Sequence, residues 1–191
     1  FAMFGAKART GPRQIRAAMT YRFDRLKILV VDDNPHMRKL LAAILQAAGV
    51  TQLFQAESVA TAWAAFNEAN PDIVFVDWML NGPSGLELVR MIRTDAKSAN
   101  PLVPVIMLTG YTQIEHVIQA RDAGATEFLA KPVSAKSILA RLVAVIEYPR
   151  AFVRTKYYFG PCRRRHRPGD YRGQERRSAG SEVAIDMPPK P

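Results

Sequence analysis

KILVVDDNPH, residues 27–36, decides how this chain is read. An apolar run without a turn signal stops at two adjacent carboxylates, Asp32 and Asp33. Asn34 then suits a helix N-cap and Pro35 the first helical turn. The stretch therefore reads as a buried strand, a tight acidic corner and a helix. Like charges side by side repel, and the end of a buried strand is a costly place for them. What offsets their charge has to be sought along the rest of the chain.

Downstream, the same unit recurs. Leu26–Val31 is the first strand; Met37, Leu40, Leu41, Ile44, Leu45 and Ala48 then fall at helical spacing until Gly49. QLFQA is a second strand, followed by a helix from Ser58 through Ala62, Trp63 and Phe66 to Asn70-Pro71. DIVFVD is a third, apolar on both faces. The loop WMLNGPSG follows, with Ser84 and Glu87 spaced as a capping box before Leu88, Met91 and Ile92. VPVIMLT is a fourth strand, with a helix from about Gln113 to Ala123-Gly124. EFLA is a fifth, followed by Lys131-Pro132 and a Ser134-capped helix through Ile138, Leu142 and Ile146 to Tyr148-Pro149. Alternating strands and helices with short connections imply parallel strands covered by helices on both faces. Five such strands predict an α/β, flavodoxin-like doubly wound sheet of order 2-1-3-4-5.

The charge is unevenly placed. The 191 residues carry a net +10, but residues 1–24 hold five basic and one acidic residue, 25–148 eleven and twelve, and 149–191 eleven and four. The folded part is thus near neutral and the basic character lies in the ends. The expected organisation is a basic, poorly ordered extension over 1–24, one domain over 25–148, and a mostly disordered Arg/Gly/Pro-rich tail over 149–191. Phe152, Tyr157, Tyr158 and Phe159 are candidates to pin the tail's first part onto the domain. Met19 is read as the natural start, with residues 1–18 a leader or extension. Cys162 is the only cysteine, so neither an intrachain disulfide nor a thiolate metal cluster can form. That fits a reducing, cytoplasmic setting. No run reaches the ~18–20 apolar residues of a membrane span.

In a sheet of this order ligands bind beyond the carboxyl ends of the strands, where the order reverses between strands one and three. Strand one ends in Asp32 and Asp33, strand three in Asp77, and neighbouring strands lie ~4.8 Å apart. Three converging carboxylates need a held proton or a cation. Oxygen donors without His or Cys favour Mg²⁺, with Mn²⁺ as a substitute. Strand four ends in Thr109, whose hydroxyl can donate to a phosphoryl oxygen, and strand five in Lys131, a compact cation. A cis Lys131-Pro132 bond would turn that side chain inward. Singly, each residue is an ordinary cap, turn or solvated lysine. Together they fill four of the five strand ends on the ligand-binding edge, and that set suits phosphoryl transfer to a carboxylate.

These motifs resemble the receiver domain of bacterial two-component response regulators over about residues 25–148. ILVVDDNP is similar to the family's acidic pair, VFVDWMLNGPSGLEL to its phosphoacceptor strand and loop, VPVIMLTG to its Thr segment and FLAKP to its Lys-Pro. The resemblance implies that Asp77 takes a phosphoryl group from a sensor histidine kinase or a histidine phosphotransfer protein. It implies that Asp32, Asp33, Asp77 and the Met79 backbone carbonyl hold Mg²⁺, that Thr109 and Lys131 bind the phosphoryl group, and that Thr109 and Phe128 form the switch. The implied output and dimer face is helix four, strand five and helix five. Leu80-Asn81 and Ser84 depart from the family's loop but are not ligand positions. Trp78 either walls the pocket or packs on the neighbouring helix.

No helix-turn-helix pattern follows Pro149, so the expectation is a stand-alone signalling receiver that acts by protein contact, not a turnover enzyme. The alternatives are a phosphorelay shuttle and a tail that binds nucleic acid or an acidic partner through Arg, Lys, Tyr and Phe. A scaffold that never takes phosphate, and a phosphatase, are less well served by these residues. His36, His116 and His166 are scattered and suggest no histidine site.

Overall fold

The computed structural model describes residues 22–110, 114–162 and 184–186. Five strands form one parallel sheet: β1 (Lys27–Val31), β2 (Gln52–Ala56), β3 (Ile73–Asp77), β4 (Val105–Thr109) and β5 (Glu127–Ala130). Their order is β2-β1-β3-β4-β5, the order predicted from the sequence. The connecting helices are α1 (Pro35–Ala47), α2 (Val59–Ala69), α3 (Gly85–Thr94), α4 (Ile114–Ala123) and α5 (Ala135–Glu147).

The period-2 alternation of the strands sorts the core into two layers. Ile28 and Val30 of β1, Ile73 and Phe75 of β3 and Leu108 of β4 pack with Leu41 and Leu45 of α1 and Ile138 and Leu142 of α5. Leu29, Val31, Val74, Val76 and Met107 pack with Phe66 of α2, Leu88 and Ile92 of α3 and Ala120 of α4. All five residues of β3 and of β4 are buried, as central strands covered on both faces must be.

Helix boundaries follow local chemistry. Asn34 accepts the amides of His36 and Met37, fixing the start of α1. Ser58 and Ser134 open α2 and α5 with reciprocal caps to Thr61 and Ser137. Asn70 ends α2 in the left-handed region, at φ 46°. The Ser84–Glu87 capping box does not form. The Ser84 side chain makes no cap bond, and the Glu87 amide bonds the Ser84 carbonyl instead. Pro104 leaves the fourth strand to begin at Val105. Leu40, placed by spacing on the core stripe, is 44% exposed. The predicted start near Gln113 lies outside the described residues.

The tail departs most from expectation. β6 (Phe152–Thr155) and β7 (Tyr158–Pro161) form an antiparallel hairpin, and β8 (Ala184–Asp186) pairs with the other edge of β6. Within the segment 149–191, read as mostly disordered, residues 152–155, 158–161 and 184–186 thus form strands; residues 163–183 and 187–191, like residues 1–21, lie outside the described residues. The physical reason is a prepared seat. Arg93 of α3, 3% exposed, donates from Nε to the Gly124 carbonyl at 3.0 Å. Its other nitrogens donate to the carbonyls of Pro101 and Val103, both at 2.7 Å. The Phe152 ring, 1% exposed, covers this guanidinium at 5.0 Å. Burial pulls the Arg93 pKa down to about 9, which still leaves it charged at neutral pH. Of the four aromatic residues proposed as pins, Phe152 and Tyr158 reach the domain. Tyr157 stands at the hairpin turn, 87% exposed.

Candidate functional site

At the carboxyl edge of the sheet, β1 and β3 pair in register from Ile28–Ile73 to Val31–Val76. The next residues, Asp32 and Asp77, continue the same face of the sheet. Both are buried, at 0% and 6% exposure, and Asp33 is half-buried. One carboxylate oxygen from each of the three lies within 4.8 Å of the others. The structure thus brings together the acids that the sequence placed on two separate strands.

Lys131, directly after β5, enters this cluster. Its Nζ lies 3.0 Å from Asp32 Oδ2 and 2.9 Å from Asp77 Oδ2. The Lys131-Pro132 bond is cis. The Lys131 amide bonds the Thr109 carbonyl at 2.8 Å, so the ends of β4 and β5 bring these two residues side by side. Thr109 is 4% exposed. Phe128 on β5 is half-buried against the α2–α4 layer of the core. Met79 sits in the loop after β3 with its side chain 56% exposed, which leaves the main-chain carbonyl as its polar contribution.

The electrostatics follow from burial. Desolvation raises the Asp77 pKa, and the hydrogen bond and charge of Lys131 only partly oppose it; Asp32 adds repulsion. Burial works against the Lys131 ammonium, but hydrogen bonds to Asp77 and Asp32 outweigh it and its pKa is raised. One ammonium therefore neutralises a three-carboxylate pocket incompletely. A cluster of hard oxygen donors with residual negative charge fits a small dication such as Mg²⁺.

Arg38 and Gly85, and Asn34 beyond its role as a helix cap, hold this geometry. Arg38 of α1 donates from Nη1 to the carbonyls of Asp32 and Asp33, at 2.6 and 3.2 Å. The Asn34 amide donates to Asp32 Oδ1 at 2.9 Å, so the acidic corner is held from both sides. Gly85 opens α3 against the end of β3: a Cβ there would lie 2.0 Å from the Asp77 carbonyl oxygen. Its amide bonds the Trp78 carbonyl at 3.0 Å. Arg38 lies one turn beyond the acidic pair, a position from which a guanidinium can reach back, and that spacing was the available signal. Gly85 gave none beyond its place in a loop. Trp78 packs rather than walls the pocket. It is 6% exposed, with its ring edge-on to His116 of α4 at 5.2 Å.

Among the described residues, no helix is long and apolar enough to cross a membrane. A family model for the response regulator receiver domain matches residues 28–143. The phosphate regulon transcriptional regulatory protein PhoB of Pseudomonas aeruginosa is 37% identical over 119 residues, 62% of this chain and 51% of that protein. The chemotaxis protein CheY of the same organism is 30% identical over 122 residues, 64% of this chain and 97% of that protein. The solved structure of Vibrio cholerae CheY4 superposes with a TM-score of 0.59 at 29% identity, covering 63% of this chain and 98% of that one. The chain spans about half the length of PhoB and nearly all of CheY. With its sheet order, its acidic edge and these matches, the chain belongs to the response regulator receiver domain family.

Proposed function

We propose that this chain is a phosphorylation-activated signalling switch that accepts a phosphoryl group on Asp77 from the phosphohistidine of a sensor histidine kinase or a histidine phosphotransfer protein. The observation that carries this reading is the Lys131 ammonium held between Asp32 and Asp77 within a three-carboxylate cluster. Asp32, Asp33, Asp77 and the Met79 carbonyl would hold Mg²⁺. When bound, that ion offsets the pocket's negative charge and the charge on the phosphoryl oxygens.

Asp77 must be ionised to attack. Burial opposes ionisation, and Lys131, holding one carboxylate oxygen, offsets part of that penalty. The other oxygen forms the new O–P bond as the P–N bond to the donor imidazole breaks, leaving an acyl phosphate on Asp77 and a neutral histidine on the donor after proton exchange with solvent. The Lys131 ammonium and the Thr109 hydroxyl then bind phosphoryl oxygens, and Phe128 repacks with β5. The protein modifies itself and turns over no external substrate. It works in the cytoplasm beside its donor and signals through protein contact. Acetyl phosphate with Mg²⁺ tests the reading: intact mass should show one phosphoryl group on the parent and none on Asp77→Asn. Equal modification of both would refute it.

A second reading adds a tail-borne output. Arg154 stacks over Phe159 at 4.1 Å and Lys156 over Tyr157 at 5.3 Å, a cationic and aromatic surface of the kind that nucleic acids or acidic proteins contact. A mobility shift that weakens between 50 and about 200 mM salt supports nucleic-acid binding, and no shift at either concentration removes it.

A further inference from the structure

The hairpin β6–β7 rests on the far ends of two helices whose near ends meet Asp77 and its neighbour Trp78. Helix α3 begins at Gly85, packed against the Asp77 carbonyl and bonded to Trp78. Near its other end it presents Arg93 beneath the Phe152 ring. Helix α4 carries His116 against Trp78 near its start. At its far end the Arg121 carbonyl lies 3.5 Å from the Tyr158 hydroxyl, which also bonds the Pro161 carbonyl at 2.8 Å. Just past that end, Gly124 faces Gly160 so closely that a Cβ on Gly160 would lie 3.0 Å from the Gly124 Cα. Arg150 ties the hairpin's base to the carbonyls of Thr126 and Cys162. A ten-residue helix is ~15 Å long and stiff on that scale. The hairpin therefore has one foot on each of two levers, one starting at Asp77 and the other at its neighbour Trp78.

From this arrangement we infer that the base of α3 and α4 is a regulated docking surface whose partner is residues 150–162 of the same chain, seated in the unmodified protein and loosened when Asp77 is phosphorylated. The inference rests on the switch reading above. Gly85 fixes α3 to the main chain of Asp77, so α3 stays with the acceptor strand. Thr109 lies five residues ahead of α4, and its movement toward a phosphoryl group shifts α4 relative to α3. A seat made jointly by both helices fits only one of their arrangements, because packed interfaces switch between states rather than stretch. Release uncovers Arg93 on α3, while the released hairpin carries the Phe152 ring and the basic sequence that follows Cys162.

Hydrogen exchange of the full chain, with and without beryllium fluoride and Mg²⁺, reads this directly, with acetyl phosphate and intact mass run in parallel. Peptide 150–162 should exchange about fivefold or more faster in the modified protein, and Asp77→Asn should show no change. Full modification with unchanged exchange in 150–162 overturns the inference and leaves the switch standing. Failure to modify Asp77 removes both. Linkage is reciprocal, so Gly160→Ala and the gentler Tyr158→Phe, both remote from the acidic pocket, should tighten beryllium fluoride binding. Weaker binding in both variants would contradict the direction of coupling.

Discussion

Replacing Lys131 with Met keeps the length of the side chain and deletes its charge, which isolates the ion pairs at 3.0 and 2.9 Å to Asp32 and Asp77. Removing one partner of a buried pair costs about 3–5 kcal/mol because the other charge stays buried. Lys131 is 23% exposed, so the low end applies, about 3 kcal/mol. For a domain of this size that is a fall of about 12 °C in Tm in metal-free buffer at neutral pH. The pH dependence has a definite sign. Asp77 already has a raised pKa, so the folded state holds its proton more tightly than the unfolded state, and stability falls as pH climbs from 3.8 through the raised value. Without Lys131 that pKa climbs further, and acid should recover much of the loss. On the alkaline side, the raised Lys131 pKa means its contribution is present below 10.5 and lost above it, so the parent's excess stability over the variant should vanish there. Mg²⁺ should recover the variant as well, by about 2.7 kcal/mol at a hundred times its Kd, and bind it more tightly than the parent. Urea denaturation across pH, with and without Mg²⁺, measures all of this. A variant as stable as the parent at pH 7 without metal would refute the claim that Lys131 is the pocket's counter-charge.

Gly85→Ala places a Cβ 2.0 Å from the Asp77 carbonyl oxygen, and backbone cannot yield cheaply. A stability loss of about 2–3 kcal/mol and a phosphorylation rate down on the order of tenfold are expected, read by denaturation and acetyl phosphate labelling. Arg38→Met should weaken Mg²⁺ binding about tenfold, because the carbonyls of Asp32 and Asp33 lose their shared donor. Simple charge removal would instead tighten it, so titration calorimetry decides by sign. Arg93→Met leaves three carbonyls without their donor and should cost about 3–4 kcal/mol, with Arg93→Lys recovering only part. Thermal melts that coincide with the parent would show that the guanidinium is dispensable.

The sheet was legible because its strands are short apolar runs with clear stops, and parity then sends Asp32 and Asp77 to one face. The pocket was legible because function sits on strand ends, whose neighbours follow from the strand order alone. What the sequence concealed depends on distant partners. Arg93 looks like an ordinary basic residue at the end of a helix; its burial depends on Gly124, thirty-one positions on, and on Phe152 beyond that. The hairpin had a signal in the β-formers of FVRTKYYF. The surrounding Arg, Gly and Pro masked it, and its turn at Lys156-Tyr157 lacks the Gly or Asn that usually marks one. The missing Ser84 cap shows the opposite error: the spacing was right, but the Ser84 carbonyl took the Glu87 amide and the side chain made no cap bond.

The central claim is that Asp77 is the atom-level acceptor in a carboxylate pocket. Borohydride reduction after acetyl phosphate and Mg²⁺ treatment converts an aspartyl phosphate to homoserine, and peptide sequencing by mass locates it. Homoserine is expected at position 77, dependent on Mg²⁺. Homoserine at Asp32, Asp33 or any other carboxylate, or none at all under conditions where the protein is folded, would contradict it.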